Sequence, residues 1–202
     1  MIYALFKRAF DFFLALISLV FLSPLFLVTA ALIKRDSAGP VFYQGQRTGR
    51  NGIPFFMYKF RTMVPDAENR GGPSTALGDP RLTKIGRMLR RTKLDELPQL
   101  INIVKGEMSF VGPRPQVKQY TDLYSGQEML ILSVRPGLTD FASLQFFDMD
   151  AHLGEIDVDK KYAEEVEPAK NILRLEYVKN RGFKTDFNIL VKTFLRFLGV
   201  RY

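Results

Sequence analysis

The chain has 202 residues, a net charge of +8, and 47% hydrophobic and 25% charged residues, a composition of folded domains and not of disorder. It has no cysteine, which excludes disulfide frameworks, thiolate zinc sites and cysteine nucleophiles; its one histidine, His152, excludes His-clustered metal sites. Residues 1–120 carry a net +10 and residues 121–202 a net −2, so the front section suits an anionic partner: a membrane surface, a nucleic acid or a phosphorylated substrate.

From Phe12 to Ile33 run 22 residues without a formal charge. As a helix they would reach about 33 Å, enough to cross a bilayer's hydrocarbon core. Ser23-Pro24 falls in the middle, where proline removes a donor and crowds the preceding turn, so a break or kink is expected. Lys7 and Arg8 precede the segment; Lys34, Arg35, Arg47 and Arg50 follow it. Positive charge favours the cytoplasmic side, and both flanks claim it. A helix that enters, bends at Ser23-Pro24 and returns to the same face satisfies both.

Val41–Tyr43 and Phe55–Phe60 predict two strands around the turn signal Asn51-Gly52, a small β-hairpin. Prolines and glycines at 64–80 predict a long surface loop. Leu82, Ile85 and Leu89 recur at helical spacing among six basic residues between Arg81 and Lys93, with no acid between, so this helix suits an anionic surface. A further helix is expected from about Asp95 to Val104, stopped by Lys105-Gly106. A short strand follows at 108–111, and helical patterns cover 116–132 and 160–180. Phe187, Leu190, Val191, Phe194, Leu195 and Leu198 give a last amphipathic helix for the membrane interface.

The string Thr92-Lys93-Leu94-Asp95-Glu96-Leu97-Pro98-Gln99-Leu100 admits two readings. Thr92 and Asp95 could form a capping box at a helix start. Alternatively, the adjacent carboxylates point in different directions, so one can attack while the other holds a hard cation, and a helix N-terminus should keep both ionised. Both readings stand on these residues alone. In Gly112-Pro113-Arg114-Pro115 the arginine sits between two stiff positions, which preorganises it for phosphate oxygens. Arg135-Pro136-Gly137 repeats the device more weakly. No Walker loop or dinucleotide-binding glycine motif occurs.

Together these motifs resemble a small monotopic polyprenyl-phosphate phosphoglycosyl transferase of the bacterial sugar transferase family. The likeness is carried in order by Lys7-Arg8 with Asp11; Ser23-Pro24; Tyr58–Met63; Leu94–Gln99; Lys105–Pro115; Arg135–Thr139; and Thr185–Leu190. It implies an enzyme that moves a sugar phosphate from a UDP-sugar to undecaprenyl phosphate through a covalent aspartyl-phosphosugar intermediate, an early membrane step of glycoconjugate or polysaccharide assembly. Asp95 would be the nucleophile, Glu96 a Mg²⁺ ligand and Arg114 a phosphate-binding group; Arg90 matches a basic position just before the dyad, and Arg90, Lys59 and Arg135 are further candidate substrate contacts. It also implies location at the cytoplasmic face of the bacterial cytoplasmic membrane, contact with membrane lipids, and no nucleic-acid partner. The expected fold is α+β and predominantly helical: a re-entrant membrane helix broken at Ser-Pro (residues 1–36), then a cytoplasmic catalytic domain (37–202) with interfacial helices and the hairpin.

The chain departs from the family pattern at Asp140, where glycine is usual, in Phe141–Phe147 and the acidic stretch to Glu167, and in the basic Asn180–Lys184. The rival reading is a membrane-tethered, basic nucleic-acid-binding or scaffold protein without catalysis.

Overall fold

The computed structural model describes residues 2–67, 79–147, 160 and 162–200, so His152 and most of the acidic stretch lie outside the described residues. Its first element is helix α1, Ile2–Asp36, one unbroken run of helix with Pro24 inside it, so of the expected break or kink the break does not occur. The Ser23 hydroxyl donates to the Val20 carbonyl at 2.8 Å. That carbonyl is the one that would have received an N–H from position 24. Ser23 thus supplies the donor that Pro24 lacks, as an apolar surrounding requires.

One face of α1 meets the remainder of the chain along its whole length. Near its start, Tyr3 and Lys7 bind the Asp186 carboxylate at 2.8 and 2.6 Å. Arg8 donates to the carbonyls of Ile103 and Val104, and Asp11 accepts the Phe110 N–H. Ala15 and Ile33 are buried in apolar clusters, and Leu19, Leu22 and Phe26 pack beside them. At the far end Asp36 accepts the Ile85 N–H at 2.9 Å. Residues 8, 11, 15, 19, 22, 26, 33 and 36 follow the helical period. The opposite face exposes Phe13, Ile17, Val20, Phe21, Leu27 and Val28. Only 11% of the helix's most apolar stretch is buried, so α1 is no ordinary core helix.

Strands β1 (Phe42–Thr48) and β2 (Pro54–Phe60) form the expected antiparallel hairpin, paired Phe42 to Phe60 and Thr48 to Pro54. Asn51 and Gly52 adopt positive φ in its turn, as the Asn-Gly signal predicts. Phe55 and Met57 alternate inward from β2 onto Ala15, Leu100, Ile103 and Met108. Helix α2 (Lys84–Arg91) is capped by Thr83, whose hydroxyl accepts the Gly86 N–H, and α3 spans Gln99–Lys105.

Strand β3 (Ser109–Val111) pairs in parallel with β4 (Gly137–Thr139), a strand the sequence did not signal. Between them the chain approaches itself so closely that a Cβ on Gly137 would lie 2.1 Å from the Gly112 nitrogen. The expected helix at 116–132 is divided into α4 (Lys118–Thr121) and a 3-10 segment, Gly126–Ser133, which starts with a capping box of Ser125 and Glu128. Helix α5 spans Phe141–Gln145. A π-helical segment, Tyr162–Val166, leads into α6, Glu167–Asn180. Helix α7, Phe183–Phe197, exposes Phe183, Phe187, Phe194 and Phe197, matching the amphipathic helix expected there. Most of the described fold is helical, with a few short strands: α+β, as the residue pattern implied.

Candidate active site

Helix α2 ends at Arg91, and Thr92 is its C-cap, its hydroxyl donating to the Met88 and Leu89 carbonyls. The capping box of Thr92 and Asp95 therefore does not form. Lys93 takes a left-handed conformation, φ 58°, which turns the chain into a 3-10 segment, Leu94–Glu96. Asp95 lies in that turn, only 6% exposed, and lines a cavity of about 560 Å³. Its carboxylate makes no cap.

Four elements converge on the same cavity. Lys59 comes from β2, Arg90 from the last turn of α2, Asp95 and Glu96 from the 3-10 turn, and Arg114 from the segment after β3. Lys59 Nζ lies 2.9 Å from Glu96 Oε1, and Arg114 Nη2 pairs with the same oxygen. Arg114 Nη1 also donates to the Leu138 carbonyl at 3.3 Å. The guanidinium thus bridges the dyad and β4.

These contacts separate the two carboxylates. Burial raises the Asp95 carboxyl above its ordinary value and Glu96 adds to this, against the pull of Lys59, Arg90 and Arg114. Burial also opposes charge on Glu96, but Arg114 and Lys59 outweigh it and hold that carboxyl far below the usual range. No α-helix N-terminus acts on this pair, because Asp95 and Glu96 lie in a 3-10 turn; burial sets the direction for Asp95, and the two paired cations set it for Glu96.

Arg135 is not brought to this cavity. Its Nε donates to the Gly106 carbonyl at 2.8 Å, and its electrostatic neighbours are Arg8, Arg50 and Asp11. The Arg-Pro-Gly string there serves the close crossing of Gly137 and Gly112. Asp140, the departure from the family pattern, has a local role. Its Oδ1 accepts the Ser143 N–H at 2.6 Å, capping α5, and its Oδ2 accepts the Arg114 N–H at 3.2 Å. It is fully buried and ties the Pro-Arg-Pro segment to α5.

The cavity also contains residues that the motifs did not single out: Arg47 from β1, Gln116, Tyr162, and Lys170 and Arg174 from α6. Lys170 and Arg174 stand at i, i+4 on one helix face, a spacing that could have marked them as facing one space. Leu22 of α1 and Leu190 and Phe197 of α7 form an apolar side of the cavity.

Among the described residues no three carboxylate or histidine groups gather as a cage for a metal ion. The donor set fits a different mode. Mg²⁺ is commonly held through one or two carboxylates plus substrate phosphates, and Glu96, kept ionised with its two cations both on Oε1, suits that use.

A family model described as bacterial sugar transferase matches residues 2–199. The chain belongs to the bacterial sugar transferase family. It is 39% identical over 202 residues to the exopolysaccharide production protein ExoY of Rhizobium meliloti, covering 93% of this chain and 83% of that one. It is 34% identical over 196 residues to the UDP-N-acetylgalactosamine-undecaprenyl-phosphate N-acetylgalactosaminephosphotransferase of Aeromonas hydrophila, and 38% identical over 193 residues to the UDP-glucose:undecaprenyl-phosphate glucose-1-phosphate transferase of Escherichia coli. Those matches cover 95% and 94% of this chain but only 43% and 39% of the two relatives.

Proposed function

We propose that this chain transfers a sugar phosphate from a UDP-sugar to undecaprenyl phosphate, with Asp95 as the covalent nucleophile. The observation that carries the reading is Asp95 itself, a buried carboxylate without a capping role, in a cavity that also holds Glu96, Lys59, Arg90 and Arg114. The names of the Aeromonas and Escherichia relatives support the same reaction class.

The first step forms a bond between an Asp95 carboxylate oxygen and the sugar-bearing phosphorus. The phosphoanhydride bond breaks, and its electron pair leaves with UMP. In the second step an oxygen of the lipid phosphate attacks that phosphorus and releases Asp95. A carboxylate cannot approach a diphosphate without cationic screening, which Lys59, Arg90 and Arg114 provide from three sides of the chain. Glu96 would hold Mg²⁺ together with donor phosphate oxygens, and the ion would add charge stabilisation there. The apolar side of the cavity, at α1 and α7, suits the polyprenyl chain of the acceptor.

Topology belongs to the same proposal: residues 1–36 as a monotopic anchor and 37–202 as a catalytic domain on the cytoplasmic face of the bacterial membrane. Support comes from α1, whose two ends bind one body: Lys7 through Asp186 and Asp36 through Ile85. A helix with one end across the bilayer would lose one of these attachments. Incubation with UDP-sugars and Mg²⁺, reading UMP release with and without undecaprenyl phosphate, tests the reaction.

A further inference from the structure

Helix α2 turns three sides in three directions. Ile85 and Leu89 pack on Ile33 of α1 and on Phe60, and Gly86 lies so close to Thr62 that a Cβ there would meet its carbonyl oxygen at 1.9 Å. Arg90 lines the cavity. Lys84, Arg87, Met88 and Arg91 remain exposed, at i, i+3, i+4 and i+7, so they form one outward stripe. Two more exposed cations, Lys34 and Arg35, stand in the last turn of α1. That turn is fastened to the first turn of α2, where Asp36 accepts the Ile85 N–H at 2.9 Å. The stripe therefore begins beside the end of α1, whose outer face is apolar through Phe21, Leu27, Val28 and Leu32.

The local helix gains nothing from this charge. No acid lies in α2, and Lys84 occupies its first turn, where the helix dipole repels a cation. Arg87 and Arg91, at i, i+4, repel each other as well. Asp36 and Asp79, which flank these segments in sequence, are engaged elsewhere, with the Ile85 N–H and with Arg81 at 2.6 Å. Among the described residues none of the five side chains forms an ion pair. We propose that Lys84, Arg87 and Arg91, with Lys34 and Arg35, are a docking surface for the headgroups of anionic phospholipids. The proposal rests on the membrane-anchor reading of α1 above. Charge selects an anion, and continuity with the apolar outer face of α1 selects a lipid surface among anions. Met88, exposed within the stripe, suits the boundary between headgroups and acyl chains. Docking there holds the outer side of the same helix that carries Arg90 to the cavity.

The chain has no cysteine, so one introduced spin label can report this surface. Met88→Cys is labelled in the full chain, held in nanodiscs of phosphatidylcholine or of an equal mixture of phosphatidylcholine and phosphatidylglycerol. The readout is access of a neutral, water-soluble nickel chelate to the label. Access should fall by about threefold or more in the mixed discs, and added salt should weaken that shielding. Lys84→Gln, Arg87→Gln and Arg91→Gln together should restore the access seen in neutral discs. Lys84→Arg, Arg87→Lys and Arg91→Lys together keep the charge and should keep the shielding. The three side chains are exposed, so neither variant should shift the melting temperature. A label at Phe21→Cys checks the anchor by itself: it should be shielded in both kinds of disc, and free access there would overturn the anchor reading and the surface with it. With the anchor intact, equal access at Met88→Cys in both discs, or shielding that survives the three glutamines, would overturn the surface alone. So would equal shielding in neutral discs by inorganic phosphate or by a single-stranded oligonucleotide, which would make the stripe a site for soluble anions.

Discussion

Arg114 and Glu96 form an ion pair inside the cavity, although they come from two motifs separated by helix α3 and strand β3. The pair gives each motif its purpose. Arg114 keeps Glu96 ionised, and Glu96 in turn helps raise Arg114 against the cost of its burial. The stiff prolines and the Asp140 carboxylate at its N–H hold the arginine in reach.

Arg114→Lys should therefore fail as a conservative change. Lysine keeps a charge for Glu96 but cannot also reach the Leu138 carbonyl or present a fork to phosphate. We expect turnover to fall by roughly 10- to 100-fold, with thermal stability little altered. Steady-state kinetics beside a melting curve decides this; near-parental turnover would contradict it.

Gly137→Ala should damage the fold itself. Its new Cβ would meet the Gly112 nitrogen at 2.1 Å, and backbone has no rotamer by which to yield. A loss of about 2 kcal/mol or more is expected from such overpacking. Chemical denaturation would measure it, and an unshifted midpoint would show that β3 and β4 can separate freely.

Burial and the nearby Arg174 and Arg114 depress the Lys170 ammonium, which gives stability a pH signature. The unfolded chain binds that proton up to about 10.5, whereas the folded chain releases it near 7. Between those values the unfolded state carries more protons, so the penalty from Lys170 shrinks as pH rises. Below about 7 both states are protonated and the penalty is complete. Subtracting the melting profile of Lys170→Met from that of the parent should show the parent gaining from pH 7 toward 10. A flat difference would contradict the shift.

The two attachments of α1 predict its topology. Cysteines placed at Ile2 and Ser37 should be equally protected from an impermeant thiol reagent in intact cells, and equally reactive once the membrane is opened. Labelling at Ile2 alone would indicate a helix that crosses. Ser23→Ala leaves the Val20 carbonyl without its hydroxyl donor, so α1 should become more bent at Pro24 in that variant, readable from distances between spin labels.

Local physics explains what the residue pattern could and could not disclose. Strong periodicity marked α1, α2 and α7, and Asn51-Gly52 marked the hairpin, because those elements are set by neighbours in sequence. Strand β4 escaped notice: Gly137-Leu138-Thr139 is too short to alternate, and its pairing with Ser109–Val111 is made across more than twenty residues. Thr92 resembles an N-cap in sequence because a C-cap threonine bonding backward uses the same side chain. The motifs led to Asp95, Glu96, Lys59, Arg90 and Arg114 as one set, and the structure brings those five to one cavity. Arg135 shares the Arg-Pro step of Arg114, but only Arg114 lines the cavity. Lys170 and Arg47 carry no motif. Their placement depends on how α6 and β1 pack.

The most direct test of the central claim is the mass of the protein after incubation with a competent UDP-sugar and Mg²⁺, without a lipid acceptor. The account predicts one added sugar phosphate per chain, one UMP released, loss of the adduct on adding undecaprenyl phosphate, and no adduct in Asp95→Asn. UMP release only when lipid phosphate is present, with the protein mass unchanged throughout, would contradict it and make the transfer a direct displacement.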